Sequence, residues 1–455
     1  MRRGSVSSSL TTTRDLSVPI TSLRVKNFKC FLDSGTLKLA PLTVIFGRNN
    51  AGKSTLLQSL LLLRQTLDSP EYESRLNLRG QLFSAGTYAD LVHEHRSSLD
   101  VSIILGVTPT GGRSTEVELE YSSDEPRSPR LAKLTVQSED NLPPLVIQRG
   151  RGQGGPYELH IDGERVGLES EANFSFPVHG LMPLIGDEPS KVGRPNERRS
   201  RVRASARHVL SYLEKQLTDL RALGAFRTPP LRRYEYGGHV RSSIDTEGRN
   251  VVDALIDDIS GRRKARGQLV REVNRWLKTV GDVQLLPIRR LSPTARLYEL
   301  RLKHLRSGRW ANFADVGSGI GQAFPVIVEG LRTPPHGIFL VQEPEIHLHP
   351  DAQLAMGDFI LALAETDRRV IAETHSENIL LRIRRRVVEA RNSSRRLTPE
   401  DVSILYVDLD GEGNSIVTPL EMDELGQISE WPRGFMEDAT EERMVLMKAM
   451  ASTSK

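Results

Sequence analysis

A glycine-rich motif near the start of this chain limits its possible folds more than any other segment does. An apolar, β-branched run, Leu42–Phe46, leads into Gly-Arg-Asn-Asn-Ala-Gly-Lys-Ser-Thr at 47–55, and a leucine-rich segment follows to about residue 67. The motif fits G-x-x-x-x-G-K-[ST] and lies between a predicted strand and a predicted helix, which is the context that it requires. It therefore predicts a strand–loop–helix unit that surrounds phosphate groups.

Each position of this motif has a chemical role. Its glycines allow backbone N–H groups to surround a phosphate, and the start of the following helix adds a partial positive charge. Lys53 is expected to reach the β- and γ-phosphates of a nucleotide, and the Ser54 hydroxyl is expected to ligate Mg²⁺. The residues predicted to bind the nucleotide here are Gly47, Asn49, Asn50, Gly52, Lys53, Ser54 and Thr55.

Acidic residues follow two later apolar runs. Gly337–Val341 ends at Gln-Glu-Pro-Glu, positions 342–345. Glu343 is the candidate general base, because a nucleotide site needs an acid on a second strand. Val370–Ala372 ends at Glu-Thr-His-Ser, positions 373–376. Ligands bind at the carboxyl ends of such strands, so His375 is expected to hydrogen-bond a γ-phosphate, with a purely structural histidine as the alternative.

A second glycine-rich turn, Asp-Val-Gly-Ser-Gly-Ile-Gly-Gln at 315–322, opens an apolar helical segment. Gly319 lies 24 residues before Glu343. This is the arrangement in which a Ser-Gly helix start, here Ser318 and Gly319, caps the γ-phosphate held by the phosphate loop of another subunit. A simple helix cap is the alternative interpretation.

The four motifs in this order resemble the ATP-binding-cassette (ABC) type of AAA ATPase found in SMC, RecF and OLD-like proteins. The resemblance covers about residues 20–110 and 205–390. Glu-Pro-Glu-Ile-His-Leu-His-Pro-Asp-Ala-Gln at 343–353 is especially similar to the OLD-like branch. Residues 403–435 resemble the short C-terminal domain of unknown function carried by one group of these bacterial ATPases.

The resemblance implies a fold and a mechanism. The implied fold class is α/β, an ABC/SMC-type P-loop ATPase core with an antiparallel β meander and a helical, basic insertion. ATP and Mg²⁺ are the implied cofactors, and the implied catalytic residues are Glu343, His375 and Lys53. A homodimer is expected to close around ATP, with Ser318 and Gly319 completing the site of the other subunit and the loop 346–349 lying between subunits.

This sequence departs from the family pattern at the second strand end. Where the family carries an acid that supports Mg²⁺ through water, this chain has the neutral Gln342. Ser54 and Gln342 are therefore the predicted metal contacts, and a weakly hydrolysing, ATP-dependent scaffold or sensor is the alternative function. Gln81 is the candidate for the glutamine expected after the first helix. Only 65 residues follow position 390, too few for the nuclease domain of OLD proteins, so nuclease activity is not expected.

Charge is unevenly distributed along the 455 residues. The net charge is +4, but residues 191–310 carry 28 Lys and Arg against 12 Asp and Glu, a local balance of +16. Such a segment indicates either contact with DNA or RNA or an ordinary solvated face. Its densest clusters are Arg198, Arg199, Arg201 and Arg203, and Arg262, Arg263, Lys264 and Arg266. The arginines of 223–234, a segment similar to one in the OLD-like branch, are expected either at a phosphate or in a solvated loop.

The predicted domains follow from these motifs. Residues 1–19 are a disordered leader, and residues 20–190 are the N-terminal half of the ATPase core, with the Walker A loop and a β meander at about 100–162. Residues 191–290 are a basic, mainly helical insertion, whose first helix is predicted to begin at about Ser205. Residues 291–395 are the C-terminal half of the core, with the signature, Walker B and switch His, and residues 396–455 are a small C-terminal domain.

Two further absences narrow the functional setting. No apolar run is long enough to span a membrane, and the single cysteine, Cys30, excludes an intramolecular disulfide and fits a reducing cytoplasm. The expected role is regulation of a nucleic-acid-linked process, such as phage defence or DNA maintenance, together with a separate effector protein.

Overall fold

The structure is a computed structural model that describes residues 20–69, 75–108, 114–123, 129–139, 142–150, 155–168, 172–176, 181–187, 196–238, 245–260, 266–292, 294–390, 397–428, 431 and 444–446. The predicted leader, 1–19, lies outside the described residues, as do Arg262, Arg263 and Lys264 of the second basic cluster.

The strands of the described residues form five sheets. In chain order they are β1 (Ile20–Phe28), β2 (Phe31–Asp33), β3 (Leu37–Lys38), β4 (Leu42–Gly47), β5 (Val101–Val107), β6 (Thr115–Ser122), β7 (Arg130–Ser138), β8 (Leu145–Arg149), β9 (Tyr157–Ile161), β10 (Glu164–Leu168), β11 (Phe174–Ser175), β12 (Leu184–Ile185), β13 (Arg221–Leu223), β14 (Tyr234–Glu235), β15 (Val283–Leu285), β16 (Arg289–Ser292), β17 (Leu297–Glu299), β18 (Arg301–His304), β19 (Trp310–Asn312), β20 (Ile338–Gln342), β21 (Arg369–Glu373), β22 (Val402–Leu409) and β23 (Ser415–Leu420).

The helices lie mostly in the second half of the chain. They are α1 (Lys53–Leu67), α2 (Tyr88–Leu91), α3 (Glu197–Thr218), α4 (Val251–Ser260), α5 (Gln268–Gly281), α6 (Ser318–Arg332), α7 (Pro350–Ala364) and α8 (Glu377–Ala390). Within the described ranges, no helix combines the length and the apolar character that crossing a membrane requires.

The core is a six-stranded sheet in the order β13-β20-β21-β4-β22-β23. Its first five strands run parallel, and β23 pairs antiparallel with β22 at one edge. β21 lies between β4, which leads into the phosphate loop, and β20, which ends at Gln342. The carboxyl ends of these three strands therefore meet at one edge of the sheet, where ligands of such sheets bind.

Both faces of the core sheet are covered, and its central strands are apolar over most of their length. In β4, Ile45 packs into the core formed with α1 and α3, whereas Val44 and Phe46 pack into the core formed with α6 and α7. Successive side chains of a strand point to opposite faces, so a continuous apolar run suits a sheet that is buried on both sides. The predicted α/β fold class is confirmed.

A nine-stranded sheet in the order β10-β9-β8-β7-β6-β5-β1-β2, with β3 pairing with β1, forms the second large layer. Its neighbouring strands are antiparallel, and buried and more exposed residues alternate along β6. The predicted antiparallel meander is confirmed, and the sheet extends beyond the predicted range to include β1.

α3 begins earlier than the sequence pattern predicts. The helix starts at Glu197 and not at about Ser205, because the side chain of Asn196 caps it by accepting hydrogen bonds from the backbone N–H groups of Arg198 at 3.0 Å and Arg199 at 3.2 Å. Asparagine is among the strongest helix N-caps. The arginine-rich residues that follow Asn196 therefore form the first turns of the helix.

Two segments that the sequence assigns to other domains complete the core sheet. β13, from the predicted insertion, pairs with β20, and β22, from the predicted C-terminal domain, pairs with β4 so that Val407 lies opposite Gly47. The remaining strands after α5 and around it form two small sheets, β14-β17-β16 and β15-β18-β19.

Candidate functional site

The phosphate loop runs from the end of β4 to the start of α1, and its shape requires glycine at both motif positions. The φ angles are 146° at Gly47 and 99° at Gly52. A Cβ atom at Gly47 would collide with the carbonyl oxygen of Val407, and one at Gly52 would lie 2.5 Å from Cys30 Sγ and 2.8 Å from Ser415 Oγ. The loop therefore packs closely against β22, β23 and Cys30, which leaves no room for a side chain at either glycine.

Lys53 is folded into this loop. It is 5 % exposed, and its Nζ donates hydrogen bonds to the carbonyl oxygens of Gly47 at 3.1 Å and Arg48 at 2.6 Å. Burial lowers the pKa of Lys53, and the nearby carboxylates of Glu373 and Glu343 oppose that shift. An ammonium group held in this way faces both the loop and the acids at the sheet edge.

The carboxylate of Glu373 is the centre of the site. Its Oε1 accepts a hydrogen bond from the Ser54 hydroxyl at 2.8 Å, and its Oε2 accepts one from the Gln342 amide at 2.7 Å. Glu373 is 4 % exposed and lies directly opposite Gln342 in the pairing of β20 with β21. Because β21 separates β4 from β20, its last residue contacts both the phosphate loop and the second strand.

Sequence reasoning did not identify Glu373 as a site residue. It predicted Ser54 and Gln342 as the metal contacts and chose His375, which follows the end of β21. An acid directly after the apolar run Val370–Ala372 was a signal that was present in the sequence. Its meaning depended on the strand order, which places this acid between the two motifs and which local pattern does not reveal.

The loop after β20 holds two glutamates in different settings. Glu343 has a left-handed backbone with φ 44°, its N–H donates to the carbonyl of Glu373 at 2.7 Å, and its side chain is partly exposed. Glu345 is buried, and its Oε1 accepts from Thr374 Oγ1 at 2.8 Å and from the His375 N–H at 2.7 Å. Burial raises the pKa of Glu345, and these hydrogen bonds oppose the rise. Glu345 thus fixes the segment that carries the exposed His375.

Ser318 and Gly319 form the first turn of α6. Ser318 is exposed, and a Cβ atom at Gly319 would lie 2.6 Å from the carbonyl oxygen of His347. The glycine therefore lets α6 pack closely on the loop 346–349. Among the described residues, no hydrogen bond joins Ser318 or Gly319 to the phosphate loop, so one chain does not bring this motif into the cluster around Glu373.

The remaining predicted contacts differ in exposure. Asn49 and Asn50 are exposed on the phosphate loop. Thr55 is buried in the first turn of α1, where its hydroxyl lies 3.5 Å from Cys30 Sγ. Gln81 is exposed in the connection between α1 and α2.

Arg227 has a position that the sequence did not indicate. It is 5 % exposed, and its guanidinium donates to the backbone carbonyls of Gln322 at 3.3 Å, of Glu343 at 3.2 Å and of Gln342. Burial lowers the pKa of Arg227 to about 10, although Glu345 and Glu343 oppose that shift. The expected position in a solvated loop is wrong for Arg227, which is buried and connects α6 to the end of β20, whereas contact with a phosphate stays a prediction.

Three of the four arginines of the first predicted basic cluster, Arg198, Arg199 and Arg203, bind partners within the chain. Arg198 and Arg199 pair with acidic residues of the β9–β10 hairpin at 3.2 and 2.6 Å. Arg203 is 1 % exposed and donates to a backbone carbonyl at 3.1 Å. Arg201 is exposed. Of the second cluster, Arg266 lies in a described range and donates to the carbonyl of Ile259.

The oxygen atoms at the site fit a magnesium ion. The Ser54 hydroxyl and the Glu373 carboxylate are hard oxygen ligands, and Mg²⁺ is commonly bound by one or two such groups together with phosphates and water. Within the described ranges, no three His, Cys, Asp or Glu side chains group into a metal site. A magnesium ion here would therefore rely on the phosphates of a bound nucleotide.

Comparison with protein families agrees with this geometry. A model described as "AAA ATPase domain" matches residues 19–105, and one described as "AAA domain, putative AbiEii toxin, Type IV TA system" matches residues 190–382. The chain belongs to the AAA ATPases. A third model, of a protein family of unknown function (DUF3696), matches residues 397–446 of this AAA ATPase. Among curated proteins, none matches the chain.

Three SMC head structures are among the solved structures that match this AAA ATPase. An SMC head bound to the C-winged helix domain of ScpA is 13 % identical, with a TM-score of 0.45, over 89 % of this chain and 98 % of that chain. The SMC head domain from Thermotoga maritima is 9 % identical, with a TM-score of 0.41, over 89 % and 100 %. An SMC head with an extended coiled coil, bound to the C-terminal domain of ScpA derived from Pyrococcus furiosus, is 11 % identical, with a TM-score of 0.44, over 95 % and 99 %.

We expect Lys53→Ala to remove most of the affinity for ATP, because the backbone dipoles of the loop alone do not neutralise the phosphate charge. The fold should survive, since burying an ammonium group is unfavourable in itself. Equilibrium dialysis with labelled ATP measures the affinity. Lys38→Ala, which removes an exposed lysine of β3, is the matched control. Near-normal affinity of Lys53→Ala would contradict the assignment of the phosphate loop.

Arg227→Gln should lower ATP turnover while leaving ATP affinity close to that of the unchanged chain. The substitution leaves buried carbonyls without donors, and each such group costs about 1–3 kcal/mol, so the melting temperature should fall as well. Arg227→Lys should restore charge without the forked geometry and should rescue turnover only partly. Arg233→Gln, an exposed arginine of the same loop, is the control. Unchanged turnover in Arg227→Gln would show that this arginine has only a structural role.

Proposed function

We propose that this chain hydrolyses ATP and closes as a homodimer around two ATP molecules. The observation that carries the proposal is the cluster at the carboxyl ends of β4, β20 and β21. There the Glu373 carboxylate accepts hydrogen bonds from Ser54 of the phosphate loop and from Gln342 at the end of β20. Glu343 is the next residue after Gln342, and its N–H donates to the Glu373 carbonyl. A phosphate loop, an oxygen ligand set and an acid beside them are the parts that a P-loop ATPase needs.

The phosphate loop is the proposed ATP-binding element. The backbone N–H groups of the loop and the N-terminus of α1 would surround the phosphates, and Lys53 would transfer its hydrogen bonds from the carbonyls of Gly47 and Arg48 to phosphate oxygens. The exposed Asn49 and Asn50 are free to approach the nucleotide from the outer side of the loop. Gly52, Ser54 and Thr55 complete the proposed contacts.

Ser54 and Glu373 are the proposed protein ligands of Mg²⁺, which when bound neutralises part of the phosphate charge. Gln342 orients the Glu373 carboxylate through its amide N–H group. In this proposal the neutral residue at 342 does not leave the site without a carboxylate, because the neighbouring strand supplies one. Gln342 then acts on the metal through Glu373, whereas the sequence predicted a contact through water alone.

Glu343 is the proposed general base. Its side chain is partly exposed, and a carboxylate in contact with water takes a proton as the water attacks a phosphate. The hydrogen bond from its N–H to the Glu373 carbonyl holds it beside the proposed metal ligands. His375, whose backbone is held by Glu345, is proposed to hydrogen-bond the γ-phosphate, and Lys53 stabilises the charge on the same group.

A second copy of the chain is the proposed partner at the nucleotide. Ser318 is exposed at the N-terminus of α6, and in one chain it makes no hydrogen bond to the phosphate loop within the described ranges. A helix N-terminus favours an anion, so Ser318 and Gly319 of one subunit are proposed to cap the γ-phosphate on the other. The loop 346–349, packed against Gly319, would lie at the same interface.

The proposed biological role is regulation of a nucleic-acid-linked process, such as phage defence or DNA maintenance, in the cytoplasm and with a separate effector protein. The description of the model that matches residues 190–382, which names a toxin of a type IV toxin–antitoxin system, supports a regulatory role. The chain itself is not proposed to be a nuclease, since Asp408 lies within β22, opposite Ile416 of β23, and Asp410 lies in the turn that follows.

A weakly hydrolysing scaffold or sensor is the second candidate. The neutral Gln342 favours it, because an amide polarises the water shell of a metal less than a carboxylate does. Steady-state phosphate release with and without Mg²⁺ separates the two functions. Multiple turnovers support the ATPase, whereas ATP-dependent assembly without turnover supports the scaffold.

Glu343→Gln should retain ATP binding, slow hydrolysis by roughly a hundredfold or more and accumulate a dimer, because a carboxamide cannot take the proton from water. Ser318→Arg should bind ATP and remain monomeric, because it places bulk and charge at the facing phosphate. Light scattering with ATP and Mg²⁺ measures the mass of each variant. If neither variant differs from the unchanged chain in its response to ATP, the two-subunit site is wrong.

Glu373→Gln should raise the Mg²⁺ concentration needed for half-maximal turnover by at least about tenfold, the range found when groups supporting a metal are removed. Gln342→Asp should leave turnover unchanged or reduced, because it replaces a donor to Glu373 with a second carboxylate of like charge. A Mg²⁺ titration of phosphate release measures both. Higher turnover in Gln342→Asp would show that the amide weakens the site and that Glu373 does not compensate.

A further inference from the structure

The segment between α5 and α6 is strongly basic, and its charged residues lie on the two small sheets β14-β17-β16 and β15-β18-β19 and in the connections between their strands. Residues 282–312 contain seven Lys and Arg against two Asp and Glu. The two acids are both engaged, because Asp282 pairs with Arg306 at 2.8 Å and Glu299 accepts from the Asn312 amide at 3.0 Å. Much of the positive charge of the segment is therefore not balanced locally.

An exposed tryptophan lies in the middle of this charge, on the sheet β15-β18-β19. Trp310 is 59 % exposed. The other two tryptophans are packed, Trp276 against Phe359 at a ring distance of 5.1 Å and Trp431 beneath the guanidinium of Arg384. Trp310 therefore presents an aromatic surface to water in the middle of these cations.

The residues around Trp310 form one face, which we call the Trp310 face: Gln284, Arg301, Lys303 and Trp310. Lys303 is the cross-strand partner of Trp310 on one side and of Gln284 on the other, so these three side chains point the same way. The guanidinium of Arg301 lies 5.0 Å from the centre of the Trp310 ring. In the described part of the chain, Lys303 has no acidic partner.

We propose that the Trp310 face binds single-stranded DNA or RNA, with one base stacked on the open side of the Trp310 ring and a phosphate held by Lys303. Arg301 covers the other side of the ring and holds it in place. An aromatic ring among cations suits a polyanion with unpaired, planar bases, and the nearby acids Asp282 and Glu299 already have partners within the segment. Duplex bases are already stacked on each other and offer no open face. The inference rests on the nucleic-acid-linked role proposed above and names the surface that would serve it.

The decisive experiment measures binding of the full chain to a labelled oligothymidylate, an RNA of matched length and a duplex, by fluorescence anisotropy at several salt concentrations. Trp310→Ala should weaken single-strand binding by about tenfold while leaving the salt dependence unchanged, because stacking carries no charge. Trp310→Phe should retain most of the affinity. Lys303→Gln should weaken binding and reduce the slope of log K against log salt by about 0.7, the value for one phosphate of a single strand.

Two controls keep the outcomes distinct. Lys215→Gln removes an exposed lysine from α3, remote in sequence from this sheet, and should change neither affinity nor slope. ATP affinity of each variant, measured separately, reports whether the ATPase core is folded. Single-strand binding that is lost in Trp310→Ala, kept in Trp310→Phe and accompanied by normal ATP affinity supports the proposal.

Three results would overturn it. Equal single-strand affinity of Trp310→Ala and the unchanged chain would remove this face from nucleic-acid binding. Loss of ATP-driven dimerisation in Trp310→Ala, with unchanged oligonucleotide binding, would assign the face to a contact with a second copy of the chain. An unchanged chain that binds no oligonucleotide at low salt but still hydrolyses ATP would remove the nucleic-acid link and leave the proposed ATPase intact.

Discussion

Two hydrogen bonds to the Glu373 carboxylate hold the halves of the site together. One carboxylate, buried at the end of β21, accepts from Ser54 on one side and from Gln342 on the other. Because β21 lies between the strand of the phosphate loop and the strand that ends at Glu343, this single group sets the distance between the two halves of the site. A buried carboxylate needs such partners, since an unsatisfied one would be strongly unfavourable. The same requirement keeps both loops in register.

Distant parts of the chain complete this arrangement. Gly47 and Gly52 pack against Val407 and Ser415, so strands near the C-terminal end shape a loop near the start. Arg227 connects the helix that carries Ser318 to the strand end that carries Glu343 through backbone carbonyls. Because the Arg227 guanidinium bonds to backbone carbonyls on both elements, we expect a shift of α6 to reach the loop after β20 through this side chain. The proposed closure of a dimer on Ser318 would therefore act directly on the proposed base.

Most of the architecture was predictable because it depends on local pattern. Apolar runs before Gly47, Gln342 and Glu373 indicated buried parallel strands, and alternating residues indicated the meander; the structure has both. The local pattern did not indicate contacts with distant segments. Arg198 and Arg199 of the predicted basic cluster pair with acidic residues of the β9–β10 hairpin, and their contact with DNA or RNA stays a prediction. Arg227 looked solvated, yet it is buried where three backbone carbonyls meet, a setting that no neighbouring residue signals.

The phosphate loop follows from local sequence, because the spacing of Gly47, Gly52 and Lys53 between a strand and a helix has few other uses. Local sequence also shows which strand ends carry acids. How those ends combine depends on the strand order, which places Glu373, and not Gln342 alone, between the loop and the second strand. The tertiary structure likewise decided that Trp310 remains exposed beside Lys303. Sheet order and cross-strand pairing are set by packing between residues far apart in the chain, so local sequence patterns do not predict them.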